Sequence, residues 1–293
     1  MLTDLGHRPL IVAAVTPLAG DGAALDVDAI APYVAFLDSH GADGVFACGT
    51  TGEGVLLSLD ERRRTAEAFR AALRGKLIVH AGAQTTADTT ALAAHAREIG
   101  ADAVAVIPPP YFPLDDDALT AHFVAAARAA APLPFFCYAF SPKSGYPLPV
   151  DVVRRIGALV DNLAGLKVSE APFERLEPYL ELGLPVLIGS EPLITAGVAR
   201  GALGTVSGMA SAFPDVVRTG LDAADEDASR QLRALRDAME ASGQFIAAAK
   251  HMLGARGVAV GPGIRAPLRR LTADEAASLE AAVAAFLPAG IRS

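Results

Sequence analysis

The chain has 293 residues, 25 Lys and Arg against 33 Asp and Glu, and a formal net charge of −8. That length suits one large α/β domain with a sizeable core, and the acidic balance argues against a nucleic-acid partner, which needs a basic face to neutralise phosphates. Aromatic residues make up only 6% and Trp is absent, so Ala, Val and Leu must fill the interior.

In chain order, eight short apolar runs read as strands: Leu10–Val15, Gly44–Cys48, Leu77–Ala81, Ala103–Ile107, Pro134–Tyr138, Leu163–Val168, Pro185–Ile188 and Gly204–Val206. Most lack polar alternation, as strands buried on both faces of a parallel sheet do. Helical spacing fills the gaps, with Ile30, Val34 and Leu37 on one face and Ala66, Phe69 and Leu73 on another. Ser58 and Glu61 form a capping-box pattern, and Asp115–Asp117 suit the positive end of the fourth helix.

Beyond residue 224 the strand signal stops. Leu232, Leu235 and Met239 mark one helix, and Leu279, Val283 and Phe286 another, opened by Thr272 and Glu275. The pattern predicts an α/β chain: a (β/α)8 TIM barrel over residues 1–224, then a C-terminal helical extension over 225–293 packed on it. A doubly wound open sheet is the competing arrangement.

Met1–Asp4 lacks a secretory signal pattern, and no apolar run is long enough to span a bilayer. Cys48 and Cys137, both in strand-like runs, read as reduced core thiols. A cytoplasmic protein without a membrane partner is expected.

In such barrels chemistry sits where strand C-termini meet the following loops. Those positions carry Gly49-Thr50-Thr51-Gly52-Glu53-Gly54, Tyr111, Tyr138, Lys167, Gly189-Ser190-Glu191 and Ser207-Gly208. They include neither a Cys/His pair nor a metal-ligand cluster, and His95 and His122 fall inside helical segments. Lys167 is the informative residue. Only four of the 25 basic residues are lysines, and an amine can lose its proton and attack a carbonyl where a guanidinium cannot. The glycines of the Gly49–Gly54 loop allow the amides of Thr50 and Thr51 to turn toward an anion. A carboxylate cradle facing an amine suits a 2-oxo acid, and a phenol at Tyr138 linked to Thr50 and Tyr111 could relay a proton.

These residues make the chain resemble the dihydrodipicolinate synthase/N-acetylneuraminate lyase superfamily of class I aldolases. The resemblance rests on Gly49–Glu53 followed by Leu57-Ser58-Leu59-Asp60-Glu61-Arg62, on Tyr138–Gly145, and on Gly165-Leu166-Lys167. Val15-Thr16-Pro17 and Ile264-Arg265-Ala266-Pro267-Leu268 extend it over nearly the whole chain.

The resemblance implies Lys167 as the Schiff-base lysine, Tyr138 as the acid/base, and Thr50 as the relay hydroxyl. It implies Tyr111 as a second tyrosine reaching across a subunit interface, and Thr51 and Val206 as parts of a pyruvate site. No metal or organic cofactor is called for, and a homo-oligomer, dimer or tetramer, is implied. Lys143 stands where dihydrodipicolinate synthases carry an arginine, and Pro110 where they carry a tyrosine. The expected activity is a pyruvate-dependent aldolase or lyase joining or splitting pyruvate and an aldehyde, such as a 2-keto-3-deoxy-sugar-acid aldolase. Dihydrodipicolinate synthase, a dehydratase of the same family and a non-catalytic oxo-acid sensor are the alternatives.

Overall fold

In the computed structural model, which describes residues 2–286, all eight runs are strands. They are β1 (Leu10–Ala13), β2 (Gly44–Ala47), β3 (Lys76–His80), β4 (Ala103–Val106), β5 (Phe135–Ala139), β6 (Leu163–Val168), β7 (Val186–Ile188) and β8 (Gly204–Ser207). All pair in parallel, and β1 bonds to both β2 and β8, with Ile11 opposite Gly44 on one side and Val206 on the other. The ring is therefore closed, which rules out the open sheet.

Period-two geometry explains the missing polar alternation. Ile11, Ala13, Phe46, Ile78, Ala105, Phe136, Tyr138, Leu187 and Val206 point inward and form a core inside the barrel. Their neighbours Leu10, Val12, Val45, Leu77, Val104, Cys137, Leu166 and Ile188 point outward into the core shared with the helices. Both faces are buried, so both must be apolar.

One irregularity decides which way Lys167 points. Between β5 and β6 the register runs Phe135 to Leu163, then Phe136 to Gly165, so Ala164 is an extra residue, a bulge. From there Tyr138 lies beside Lys167. Without the bulge Tyr138 would face Leu166, and Lys167 would take the opposite parity, into the helical layer.

The barrel helices are α1 (Ile30–Ser39), α2 (Leu59–Ala72), α3 (Thr86–Glu98), α4 (Asp116–Ala130), α5 (Val150–Leu159), α6 (Phe173–Leu180), α7 (Ile194–Ala199) and α8 (Pro214–Ala223). The Ser58–Glu61 capping box opens α2, and Asp115 caps α4 through the Ala118 amide. Three more helices follow: α9 (Glu226–Glu240), α10 (Phe245–Ala255) and α11 (Ala273–Val283), the last opened by the Thr272–Glu275 capping box. Leu232, Leu235, Met239, Met252 and Leu279 join the outer barrel core, so the tail and barrel share one continuous apolar interior. Cys48 and Cys137 are buried and unpaired. Among the described residues, no helix is long and apolar enough to cross a membrane. Residues 287–293 of the expected tail lie outside the described residues.

Candidate active site

A cavity of about 550 Å³ opens at the C-terminal end of the barrel. Thr50, Thr51, Tyr138, Lys167 and Val206 line its floor, and Lys143 stands on its wall in a one-turn helix, Ser141–Ser144, after β5. The opposite wall comes from the C-terminal helices and the segment between them: Arg236, Asp237, Gln244, Phe245 and Arg269. A larger cavity, about 960 Å³, lies at the N-terminal end of the strands, but its one lysine, Lys76, is tied to Asp102 at 3.0 Å. The smaller cavity is the one lined by Lys167.

Inward parity places Lys167 on the floor with only 4% of its surface exposed. Its Nζ lies 4.1 Å from the centroid of Phe46 and 4.0 Å from that of Tyr138. No hydrogen bond or ion pair engages this amine among the described residues. It is a buried amine stacked between aromatic faces, with no carboxylate among the described residues to hold it. Tyr138 is packed against Phe46, His80 and Phe140, with its hydroxyl 3.5 Å from Thr50 Oγ1.

The loop after β2 forms the adjacent floor. The backbone amides of Thr50 and Thr51 donate to no acceptor among the described residues, while the loop closes through Gly54 N–H to the Gly49 carbonyl at 3.0 Å. Neighbouring free amides on a glycine-rich turn make an anion-binding concavity. Gly54 is needed for the closure, since a Cβ there would sit 1.8 Å from the Cys48 carbonyl oxygen.

Four buried polar devices escaped sequence reasoning because their partners lie far away in the chain. Glu170, after β6, accepts hydrogen bonds from the Ser141 amide and hydroxyl, which fixes the start of the Lys143 turn. Glu191, fully buried after β7, accepts from Ser207 Oγ at 2.7 Å, the Met209 amide at 3.0 Å and Arg236 Nη1 at 2.9 Å. Arg236 lies 4.5 Å over the Phe245 ring, so this carboxylate orders the cavity's outer wall. Lys250 pairs with Glu53 at 2.6 Å. His80 reaches the Cys48 carbonyl at 3.1 Å, and burial, helped by the charges of Arg62 and Lys167, drives its imidazole well below 6.5. Glu53, Glu170 and Glu191 are thus already committed to protein donors. Among the described residues no group of His, Cys, Asp or Glu is arranged to hold a metal ion.

Tyr111 is not among the residues lining this cavity. It stands 80% exposed with a left-handed backbone (φ 86°), its ring edge-on to that of exposed Phe112. His95 bonds to Glu67, and His122 packs in the α3–α4 layer against Thr86.

The fold is a closed parallel barrel with a buried amine on the floor of the cavity at its C-terminal end. The chain belongs to the dihydrodipicolinate synthetase family, whose model matches residues 7–286. Its aldolase-type lyase character comes with that membership. It is 35% identical to an uncharacterized DapA-like lyase of Halobacterium salinarum, over 96% of this chain and 94% of the relative. It is 34% identical to 4-hydroxy-tetrahydrodipicolinate synthase 1 of Streptomyces coelicolor, over 96% of each. Among solved structures, Proteus mirabilis N-acetylneuraminate lyase superposes with a TM-score of 0.85 at 29% identity, covering 95% of this chain and 98% of that one. KD(P)GA from T. tenax gives 0.84 at 28%, with the same coverage.

Proposed function

We propose that the chain is a pyruvate-handling class I aldolase in which Lys167 forms the Schiff base. The supporting observation is the Lys167 amine itself, buried on aromatic faces and, among the described residues, free of any ion pair, in a cavity shared with Thr50 and Thr51, whose amides meet no acceptor among those residues. The amides and the Thr51 hydroxyl hold the carboxylate of a 2-oxo acid, and Val206 lines the site beside it. The neutral amine adds to the ketone carbon. Tyr138, hydrogen-bonded to Thr50, gives its proton to the carbinolamine oxygen, which leaves as water. The Tyr138 phenolate then takes the proton of the hydroxyl beside the breaking C–C bond while the iminium accepts that bond's electron pair, releasing an aldehyde and leaving an enamine; addition to an aldehyde is the reverse. Protonation and hydrolysis of the enamine return pyruvate and the free amine.

Within this class a 2-keto-3-deoxy sugar acid is the favoured substrate, because Lys143 offers the second substrate a mobile point charge. An arginine there would offer a planar fork matched to a carboxylate. The relative named 4-hydroxy-tetrahydrodipicolinate synthase 1 keeps condensation of pyruvate with aspartate semialdehyde as the second reading. Exposed Tyr111 and Phe112 suit a homo-oligomer in which Tyr111 completes a neighbour's site.

Borohydride reduction in the presence of pyruvate tests the core of the proposal. One reduced pyruvate is expected on the peptide containing Lys167, and none in Lys167→Ala. Equal labelling of that variant would overturn the assignment. Lys167→Arg should be as inactive as the alanine variant.

A further inference from the structure

The Thr50–Thr51 turn is bounded by two non-glycine residues in the left-handed region, Cys48 (φ 58°) and Glu53 (φ 56°). Such backbone is uncommon outside glycine and persists where its surroundings impose it. Each boundary is held by a buried polar group from elsewhere in the chain. At one end His80 Nδ1 donates to the Cys48 carbonyl at 3.1 Å, and the His80 carbonyl is itself gripped by Arg62 Nη2 at 2.6 Å. At the other end Glu53 Oε1 takes Lys250 Nζ at 2.6 Å, and Oε2 takes the Arg265 amide at 2.7 Å. Lys250 also donates to the Gly263 carbonyl at 2.6 Å. Between the boundaries, Thr16 Oγ1 donates to the Gly52 carbonyl at 2.7 Å.

The Glu53 and Lys250 side chains are fully buried. A buried ion pair is a poor device for stability, because desolvating both charges offsets their attraction and an apolar pair of equal volume often does as well. The aldolase cycle described above uses neither residue. What the pair does is join α10, in the C-terminal helices, to the Gly49–Gly54 loop, whose Thr50 and Thr51 line the same cavity as the buried amine.

We propose that Glu53 and Lys250 are positioning residues for the carboxylate of the 2-oxo acid. They hold the Gly49–Gly54 loop in the left-handed conformation that keeps the Thr50 and Thr51 amides turned into the cavity. The C-terminal helices thereby set the affinity for pyruvate through this pair as well as the outer wall. This rests on the Schiff-base reading of Lys167 but makes a separate claim about which part of the substrate the pair serves.

The test compares ligands that do and do not carry a carboxylate. Removing one partner would strand a buried charge, so the main variant is the double substitution Glu53→Gln/Lys250→Met, which removes both charges at similar volume. Thr16→Val, which deletes only the hydroxyl donating to Gly52, is an independent arm should the double variant not fold. For each folded variant, half-saturation of borohydride trapping is measured for pyruvate and for hydroxyacetone, a ketone without a carboxylate. The expected result is about a tenfold rise in half-saturation for pyruvate, the scale of one lost charge-assisted hydrogen bond, with hydroxyacetone trapping unchanged. Equal losses for both ligands, or no loss for either, would overturn the proposal in favour of a purely structural pair.

Calorimetric binding of oxamate, a pyruvate isostere without a reactive ketone, is measured alongside. It reads the carboxylate cradle without any imine. If wild-type protein failed to trap at Lys167, the function proposed above would fall, and oxamate would still decide this one: weaker binding in the variants supports it, unchanged binding refutes it.

Discussion

Replacing Tyr138 by Phe removes a single oxygen from the floor of the cavity. The ring is 1% exposed and rests against Phe46 and His80, each at a centroid distance of 5.9 Å, and Phe fills the same space. The hydroxyl's contact with Thr50 Oγ1 is long, 3.5 Å, so its loss should cost ~1 kcal/mol of stability or less. For a chain of this size that moves the melting temperature by roughly 2–4 °C at most. A positioned general acid, by contrast, contributes on the order of 10²- to 10⁴-fold in rate, or about 3–5 kcal/mol of barrier. The two effects differ enough to be separated in one preparation. Single-turnover borohydride trapping with saturating pyruvate should show adduct forming at Lys167 at least about a hundredfold more slowly, yet approaching the wild-type yield. Steady-state cleavage of a 2-keto-3-deoxy sugar acid should lose kcat by a similar factor. Wild-type kcat in a normally folded variant would refute the proton-donor role. So would a collapse of the fold, since it would show the hydroxyl to be structural.

Three other consequences can be measured. His122 is buried in the α3–α4 layer, and burial lowers its pKa from 6.5 to about 4. The unfolded chain therefore binds the extra proton between those values, so this group's contribution is flat above pH 6.5 and is lost as pH falls toward 4, by ~3 kcal/mol at most. His122→Gln should flatten that acid limb in urea melts taken at pH 4.5 and 7; parallel limbs in the two proteins would contradict it. Lys143→Arg should raise kcat/KM for aspartate semialdehyde relative to a short hydroxyaldehyde, because a planar guanidinium can grip a carboxylate in two places. An unchanged ratio would place Lys143 away from the second substrate. If Tyr111 completes a neighbour's site, specific activity should fall on dilution to monomers, and a concentration-independent activity across dissociation would exclude it.

The local features were legible from the chain. Both capping boxes are set by residues three apart, and short apolar runs between helical segments announce buried parallel strands, so the barrel could be anticipated strand by strand. Thr50, Thr51, Tyr138 and Lys167 could be picked out because strand ends and a glycine-rich turn mark them, Val206 came only with the family resemblance, and the fold gathers all five around one cavity. Tyr111 was equally visible at a strand end, yet the turn after β4 carries it out to the surface of this chain.

Long-range pairing decided the rest. Nothing near Glu53 in sequence points to Lys250, and nothing near Glu191 points to Arg236, because a buried charge's partner is chosen by packing across the whole fold. The bulge at Ala164 shows the division most clearly. The sequence by itself determined that an amine would end the sixth strand among apolar residues. Whether that amine faced the cavity or the helices depended on one residue of register. A strand's side chains alternate with a period of two, so the inserted residue turns Lys167 inward beside Tyr138, and only the pairing of β6 with β5 could decide it.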